Sequence, residues 1–340
     1  MATPTRMLLI GCGGMARHHL RGILKQQDTT TVVALCEPDP AALALTAEIF
    51  AEAGLDTPPN QPDLARLIAD HPADAAFIVT PHSFHHDQTR DCLEAGLDVL
   101  LEKPMVMNAL EAESLIEIQA RTGRLLVVAF PASLSPYLRA ALGMLGSGEC
   151  GPVQSISATI WQNWGPFTHN TWRQYPPIAG GGFFFDTGAH MLNTVVELAG
   201  EPFAEVAAWL DNRGRPVESM GVAIGRLESG ALVTLHGSGE MGYSVCESDI
   251  RVFCRDAMLR TGMWAEFLEV QREGGKLTPV PVPPSLGVWE QFLAVRDGRL
   301  PNPAPPEVGL RMARLYDAIR ASAAMNGAIV DCRTPLVPAM

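Results

Sequence analysis

Met7-Leu8-Leu9-Ile10-Gly11-Cys12-Gly13-Gly14-Met15-Ala16 is the stretch whose reading decides the fold. Four apolar residues run straight into a G-x-G-x-x-A turn, and a helical pattern follows from Ala16 to Gln26. Each small residue has a physical task. Gly11 permits the tight turn, Gly13 lets backbone approach a pyrophosphate, and Ala16 allows the helix to pack close on the strand. Phosphates rest on the free N–H groups of such a helix start, here around Gly13, Gly14, Met15 and Ala16. Glu37, at the end of the next apolar run, stands where a ribose ligand is expected. Its carboxylate suits a free ribose diol and repels a 2′-phosphate, and Pro38-Asp39 add no cation to reverse that. The pattern favours NAD over NADP.

Outward from this turn, short apolar runs alternate with longer helical patterns as far as Phe130. The runs are Met7–Ile10, Thr31–Cys36, Ala75–Val79, Asp98–Leu101 and Leu125–Phe130. The helical stretches between them include Ala41–Ala53, Phe84–Ala95 and Ala109–Thr122. This alternation predicts a doubly wound parallel sheet, α/β in class, over residues 1–130. From Val153 the pattern turns extended, through Val153–Trp161, Phe203–Leu210, Val217–Leu227, Ala231–His236, Asp249–Phe253 and Met258–Thr261. A helical insert at about Phe185–Leu198 and closing helices near Leu286–Val295 and Pro306–Ala324 complete an α+β domain over 131–340, with a mostly antiparallel or mixed sheet.

Composition narrows the partner. The chain has 340 residues, 47% hydrophobic and 18% charged, with a formal net charge of -12 from Lys+Arg 25 against Asp+Glu 37. That length suggests two domains, each large enough for its own core. An acidic chain without a basic cluster lacks the electrostatic footprint for nucleic acid or anionic membranes, so a small-molecule partner is expected. Glycines break the first apolar run before it reads as a signal segment or membrane span, which predicts a cytoplasmic protein. The 7 cysteines contain no C-x-x-C pair and read as buried apolar residues. His82, His85 and His86 lie close together but lack a well-spaced carboxylate or thiolate, so no metal site is expected.

Three further segments are distinctive: Thr80-Pro81-His82-Ser83-Phe84-His85, Glu102-Lys103-Pro104, and Trp172-Arg173 followed by Gly180-Gly181-Gly182 and Asp186-Thr187-Gly188-Ala189-His190. In this order, after the glycine turn, they resemble the glucose-fructose oxidoreductase / inositol dehydrogenase / rhizopine catabolism (Gfo/Idh/MocA) family across nearly the whole chain. The resemblance implies an N-terminal Rossmann domain and a C-terminal domain on a large open sheet. It further implies a nicotinamide cofactor, sugars or polyols as substrates, and homodimers or homotetramers formed through the open sheet face. Lys103 matches the lysine of the family's E-K-P motif, and Asp186 and His190 match its acid and histidine.

Those positions suit hydride chemistry. Oxidising an alcohol requires its hydroxyl proton to leave to a positioned base, and an imidazole such as His190 titrates near neutrality. Asp186 and His190, four apart, would share a helix face; Asp186 would orient a hydroxyl or the imidazole, and Lys103 would bond the reacting oxygen. Lys103 and His190 both stand as acceptors of that proton. Thr80, Pro81, His85 and Glu102 join the expected cofactor site, with Pro81 and His85 as a wall of the nicotinamide pocket. Trp172 and Arg173 join the expected substrate site, although Arg173 reads equally as a surface salt bridge. Trp161, Trp164, Phe167 and Trp172 suit either sugar faces or an interface.

One departure stands out. Many relatives carry a polar residue and an arginine after the last Rossmann strand, where this chain has Phe130-Pro131-Ala132-Ser133. The replacement fits a smaller or less polar substrate, or simple repacking. Two other functions share these motifs: redox-neutral cleavage of a glycosidic or related bond with tightly held NAD, and a non-catalytic NAD-binding regulator. Retention of Lys103, Asp186 and His190 together counts against the regulator.

Overall fold

The first apolar run becomes the centre of a parallel sheet in the computed structural model, which describes residues 3–333. The elements follow one another as β1 (Thr5–Ile10), α1 (Gly14–Ile23), β2 (Thr30–Cys36), α2 (Pro40–Glu52), α3 (Leu64–Asp70), β3 (Ala75–Ile78), α4 (His85–Glu94), β4 (Asp98–Leu101), α5 (Ala109–Thr122) and β5 (Leu126–Val128). Next come α6 (Pro136–Gly146), β6 (Val153–Gln162), α7 (Trp164–Phe167), α8 (Pro176–Ala179), α9 (Gly188–Ala199), β7 (Phe203–Asp211), β8 (Met220–Leu227), β9 (Leu232–Ser238), β10 (Cys246–Cys254) and β11 (Ala257–Thr261). The chain closes with β12 (Glu269–Arg272), β13 (Thr278–Pro279), α10 (Val288–Arg296), α11 (Pro306–Ala324) and β14 (Val330–Asp331).

Two units result. The first holds the chain up to Met105, Glu111–Ala129 and Leu286–Pro306; the second holds Val106–Leu110, Phe130–Ser285 and the chain from Glu307. The first unit's sheet runs β2-β1-β3-β4-β5, all parallel. A single parallel bridge between Leu35 and Asn60 stands in for one more strand outside β2. Counting it, the order is that of a dinucleotide-binding sheet, whose direction of winding reverses between β1 and β3. Leu8, Leu9, Ala76, Phe77, Val99 and Leu100 have no exposed surface, as strands covered on both faces require. Asp39 and Asp63 cap the helices after β2, accepting from the Ala41 N–H (2.9 Å) and the Arg66 N–H (3.0 Å).

Residues 286–306 differ from the sequence-based division at residue 130. Their α10 packs on the first unit: Trp289 stacks near Phe77, with centroids 6.1 Å apart, and its indole N–H donates to Thr30 Oγ1 (2.8 Å). Arg296 pairs with Asp98 (2.9 Å), and the Val128 N–H donates to the Ala304 carbonyl (2.9 Å). Burial of one apolar helix face decides where this segment sits, and that is a tertiary event invisible to local pattern.

The second unit is a nine-stranded sheet in the order β13-β12-β11-β10-β6-β9-β8-β7-β14, antiparallel except between β6 and β9. Every residue of α9 is buried, and α9 contacts β6 and β10. A glycine run leads into it for steric reasons. A Cβ on Gly182 would run into the Glu218 carbonyl, which accepts the Phe183 N–H at 2.7 Å. On the opposite faces of β8 and β9 the side chains alternate, Ala223, Val233 and Leu235 buried against Val222, Ile224 and Leu232 exposed. Among the described residues no helix is long and apolar enough to cross a membrane.

Candidate functional site

In the first unit the glycine turn is sterically enforced. Gly11 has φ +89°, and a Cβ there would lie 2.5 Å from the Val79 carbonyl oxygen. Gly13 and Gly14 have open space where a side chain would begin, and α1 starts without a capping side chain or an acidic residue in its first turn. Met15, on that first turn, is 48% exposed. Ala16 is fully buried, as close helix packing demands.

Glu37 is held at this turn. Its Oε2 accepts the Cys12 N–H (2.7 Å) and its Oε1 the Asp39 N–H (2.8 Å). Asn60 clamps the Glu37 backbone, accepting its N–H (3.0 Å) and donating to its carbonyl (3.0 Å). This asparagine carries no signal in the sequence; the parallel bridge between Leu35 and Asn60 brings it beside Glu37. Burial, then the Glu37 charge, push the Cys12 thiol up to about 12, so it stays protonated.

The ends of β3 and β4 carry the next group. Thr80 Oγ1 donates to Gln88 Oε1 (2.6 Å), and Pro81 opens a short 3-10 turn over His82–Phe84. His85 has no exposed surface; its ring nitrogens lie 2.8 Å from the Pro104 carbonyl and 2.9 Å from the Thr80 carbonyl. The ring thus braces two loops from inside, whereas the sequence pattern suggested a pocket wall. Burial holds its imidazole below the ordinary histidine range. Glu102 is buried beside Lys103 and is also internally engaged: His19 Nε2 lies 2.7 Å from its Oε1, and its Oε2 accepts the Lys103 N–H (3.0 Å). The place of His19 one turn into the first helix predicts a surface or phosphate-side position, and the structure turns its ring onto Glu102. The Lys103-Pro104 peptide is cis.

In the second unit Asp186 is 5% exposed and doubly bonded. Its Oδ2 accepts from Arg173 Nε (2.7 Å) and from the Trp164 indole (2.8 Å). Arg173 forms a salt bridge, and its partner is the buried Asp186 rather than a surface carboxylate. Trp172 stacks on the Arg173 guanidinium, 4.4 Å from the ring centroid. The aromatic cluster divides, with Trp164 at 2% exposure and Phe167 at 82%. Asp186 and His190 do not share a helix, because α9 begins at Gly188 and Asp186 lies in the turn before it. His190 meets the edge of Trp264, centroids 6.0 Å apart. Among the described residues no group of three or more His, Cys, Asp or Glu side chains is placed to hold a metal ion.

The first unit's sheet order and enforced glycine turn define a dinucleotide-binding protein joined to an α+β unit. Comparison with known proteins gives the family. Residues 5–130 match the GFO/IDH/MocA oxidoreductase family, NAD-binding Rossmann fold, and residues 138–260 match the GFO/IDH/MocA C-terminal domain. The chain belongs to the GFO/IDH/MocA oxidoreductase family. It is 30% identical over 198 residues to oxidoreductase P35 of Formosa agariphila, covering 57% of this chain and 60% of the relative. It is 25% identical over 206 residues to the D-glucoside 3-dehydrogenase of Escherichia coli, covering 59% of this chain and 56% of that one. The matched region thus spans well under two thirds of either curated relative. The crystal structure of an inositol dehydrogenase homologue from Azotobacter vinelandii, complexed with NAD+, superimposes with a TM-score of 0.83 at 22% identity, covering 97% of this chain and 98% of that one.

Proposed function

We propose that the protein oxidises a hydroxyl of a sugar, polyol or related small molecule, with NAD as its cofactor. The observation that carries this reading is the Glu37 carboxylate fixed at the glycine turn by the Cys12 N–H (2.7 Å). The turn fits the cofactor: a Cβ is excluded at Gly11, and space is open at Gly13 and Gly14. Gly11, Gly13, Gly14, Met15 and Ala16 would hold the pyrophosphate and Glu37 the ribose diol, with NADP disfavoured by the carboxylate. Thr80 and Pro81 would border the nicotinamide end, stiffened by His85 and by the His19–Glu102 pair. The chemistry supplied there when NAD+ is bound is acceptance of a hydride.

The residues of this chain supply the rest. Lys103 bonds the reacting oxygen, and Lys103 and His190 share transfer of the hydroxyl proton. Asp186, immobilised by Arg173 and Trp164, orients the substrate; Trp172 and Arg173 border it. The names of the relatives, a D-glucoside dehydrogenase and an inositol dehydrogenase homologue, support a sugar or polyol. The exposed Trp209 (49%), Val222 (43%), Ile224 (56%) and Leu232 (53%) on the large sheet support pairing with further copies of the chain, as a homodimer or homotetramer.

The test is near-ultraviolet absorbance of the protein mixed with sugars, polyols and hydroxy acids, with and without added NAD+. Growth of the reduced-nicotinamide band with one compound class is expected. A protein that carries NAD yet reduces none of it with any compound would overturn net oxidation in favour of redox-neutral bond cleavage.

A further inference from the structure

None of Lys103, Asp186 and His190 lines a cavity of about 460 Å³ in the second unit, a volume within the range of small-molecule sites. Gly180 and Gly181 form part of its wall. Side chains are excluded there: a Cβ on Gly180 would lie 2.6 Å from Met107 Sδ, and one on Gly181 would run into the Tyr316 hydroxyl. Tyr316 has no exposed surface, and its O–H donates to Glu218 Oε1 (3.0 Å). Burial, then the Glu218 charge, hold this phenol well above its ordinary value, so it stays the donor and Glu218 the acceptor.

The cation in the lining is short of acceptors. Arg320, on α11, reaches the Gly180 carbonyl from Nη1 and Asp317 Oδ1 from Nη2 only at 3.4 Å, the outer limit of a hydrogen bond. Among the described residues its buried Nε–H meets no acceptor. The side chain keeps 35% of its surface, so an acceptor oxygen entering the cavity can take up donor capacity that the protein leaves unmet. Asn212, between β7 and β8, spends its Oδ1 on the Gly214 N–H (3.1 Å) and so offers its amide N–H groups as donors.

Charge selects against ions. Among the described residues the lining holds one positive group, Arg320, and one negative group, Glu218, while a further carboxylate, Asp317, sits on the guanidinium. An anion gains no net field from that set, and an ammonium would face the guanidinium. Donors and acceptors on one wall suit hydroxyl groups, each of which gives and accepts. Pro176, Pro216 and Val217 supply C–H surface for the apolar face of a ring.

We propose that this cavity is a second small-molecule site, for an uncharged polyhydroxylated ring, a single sugar or cyclic polyol. Ring hydroxyl oxygens accept from Arg320 and Asn212, and a hydroxyl hydrogen goes to Glu218. The site uses neither NAD nor a hydride step, so it goes beyond the oxidoreductase reading and fails independently of it.

Hydrogen–deuterium exchange of the full chain without added NAD+ tests it, with methyl β-D-glucoside and myo-inositol compared with glucuronate and glucosamine, which put a negative or a positive charge on a similar ring. The neutral probes should slow exchange in residues 212–218 and 316–320 by about twofold at half-saturation, since only unbound molecules open. The charged probes should do so less. Arg320→Gln should raise the midpoint concentration about tenfold, the scale of one hydrogen bond to a charged group, and Asn212→Ala about threefold. No slowing with either neutral probe, or slowing confined to residues 183–190, would overturn the site. So would slowing spread evenly along the chain, the effect of an excluded osmolyte. Equal or stronger slowing by glucuronate or glucosamine, or midpoints unmoved in both variants, would overturn it as well. Should Arg320→Gln not fold, Asn212→Ala, at an exposed position, carries the test.

Discussion

The backbone N–H of Cys12 donates to Glu37 Oε2 at 2.7 Å, joining the turn after β1 to the end of β2 across 25 residues. Two further contacts stiffen the arrangement, the Asp39 N–H on the second carboxylate oxygen and the Asn60 side chain on the Glu37 backbone. A carboxylate held this way is in place before any ligand arrives, so little ordering entropy remains to oppose binding.

Glu37→Ser should therefore lower affinity for NAD relative to NADP by about tenfold or more, the scale of one lost charge-assisted hydrogen bond and one relieved repulsion. Titration of both cofactors by fluorescence checks it. An unchanged ratio would remove Glu37 from the ribose site.

Arg173→Ala should reduce kcat/KM by at least about tenfold, since a buried carboxylate then loses its guanidinium. Asp186 is 5% exposed and would keep the Trp164 indole as a donor, so the effect should fall on activity more than on melting temperature. Arg173→Lys should restore only part, because an ammonium cannot reproduce the planar Nε–H contact while stacked on Trp172. Steady-state kinetics beside thermal melts decide the matter.

These two residues mark what a sequence discloses. The glycine turn and Glu37 were legible because backbone sterics and phosphate chemistry act over a few residues. The strands around them were legible too, since Ala75–Ile78 and Val99–Leu101 are continuous apolar runs buried on both faces. The Asp186–Arg173 pair was only half legible. Both residues were singled out, but their bond depends on a turn that ends before α9 begins. His19 on Glu102, Asn60 on Glu37 and Trp289 on Thr30 bring together residues 23 to 259 apart, and no local periodicity records such contacts. The short strands β12, β13 and β14 were missed because four or fewer residues carry no readable alternation.

Glu197 gives a pH-dependent prediction. It is 6% exposed and bonded to the Ser133 hydroxyl and to Asn193 Nδ2 (3.1 Å), and burial raises its carboxyl above the ordinary 4.5. A folded pKa above the unfolded one means the native state binds the proton more tightly, so this group's contribution to stability declines as pH rises from about 4.5 through the folded pKa. Glu197→Gln should melt above wild type at pH 7, with the gap closing toward pH 4.5. Parallel melting curves would contradict it.

His85 predicts the opposite slope. Burial lowers its imidazole below 6.5, outweighing the two carbonyls that favour the charged ring. The unfolded chain then binds the proton more readily, so the stabilisation from His85 is complete above about 6.5 and is lost as pH falls toward the folded pKa. His85→Phe, which fills the space without titrating, should be less stable than wild type at neutral pH, with the difference shrinking in acid. Melting temperatures across that range provide the measurement.

Single-turnover reduction of NAD+ by wild type, Lys103→Ala and His190→Ala, with cofactor affinity measured in parallel, tests the assignment of the site most directly. Each variant should lose at least about tenfold in rate while NAD affinity changes little, as expected when a proton-transfer or orienting group is removed. Rates near wild type in both variants would contradict it.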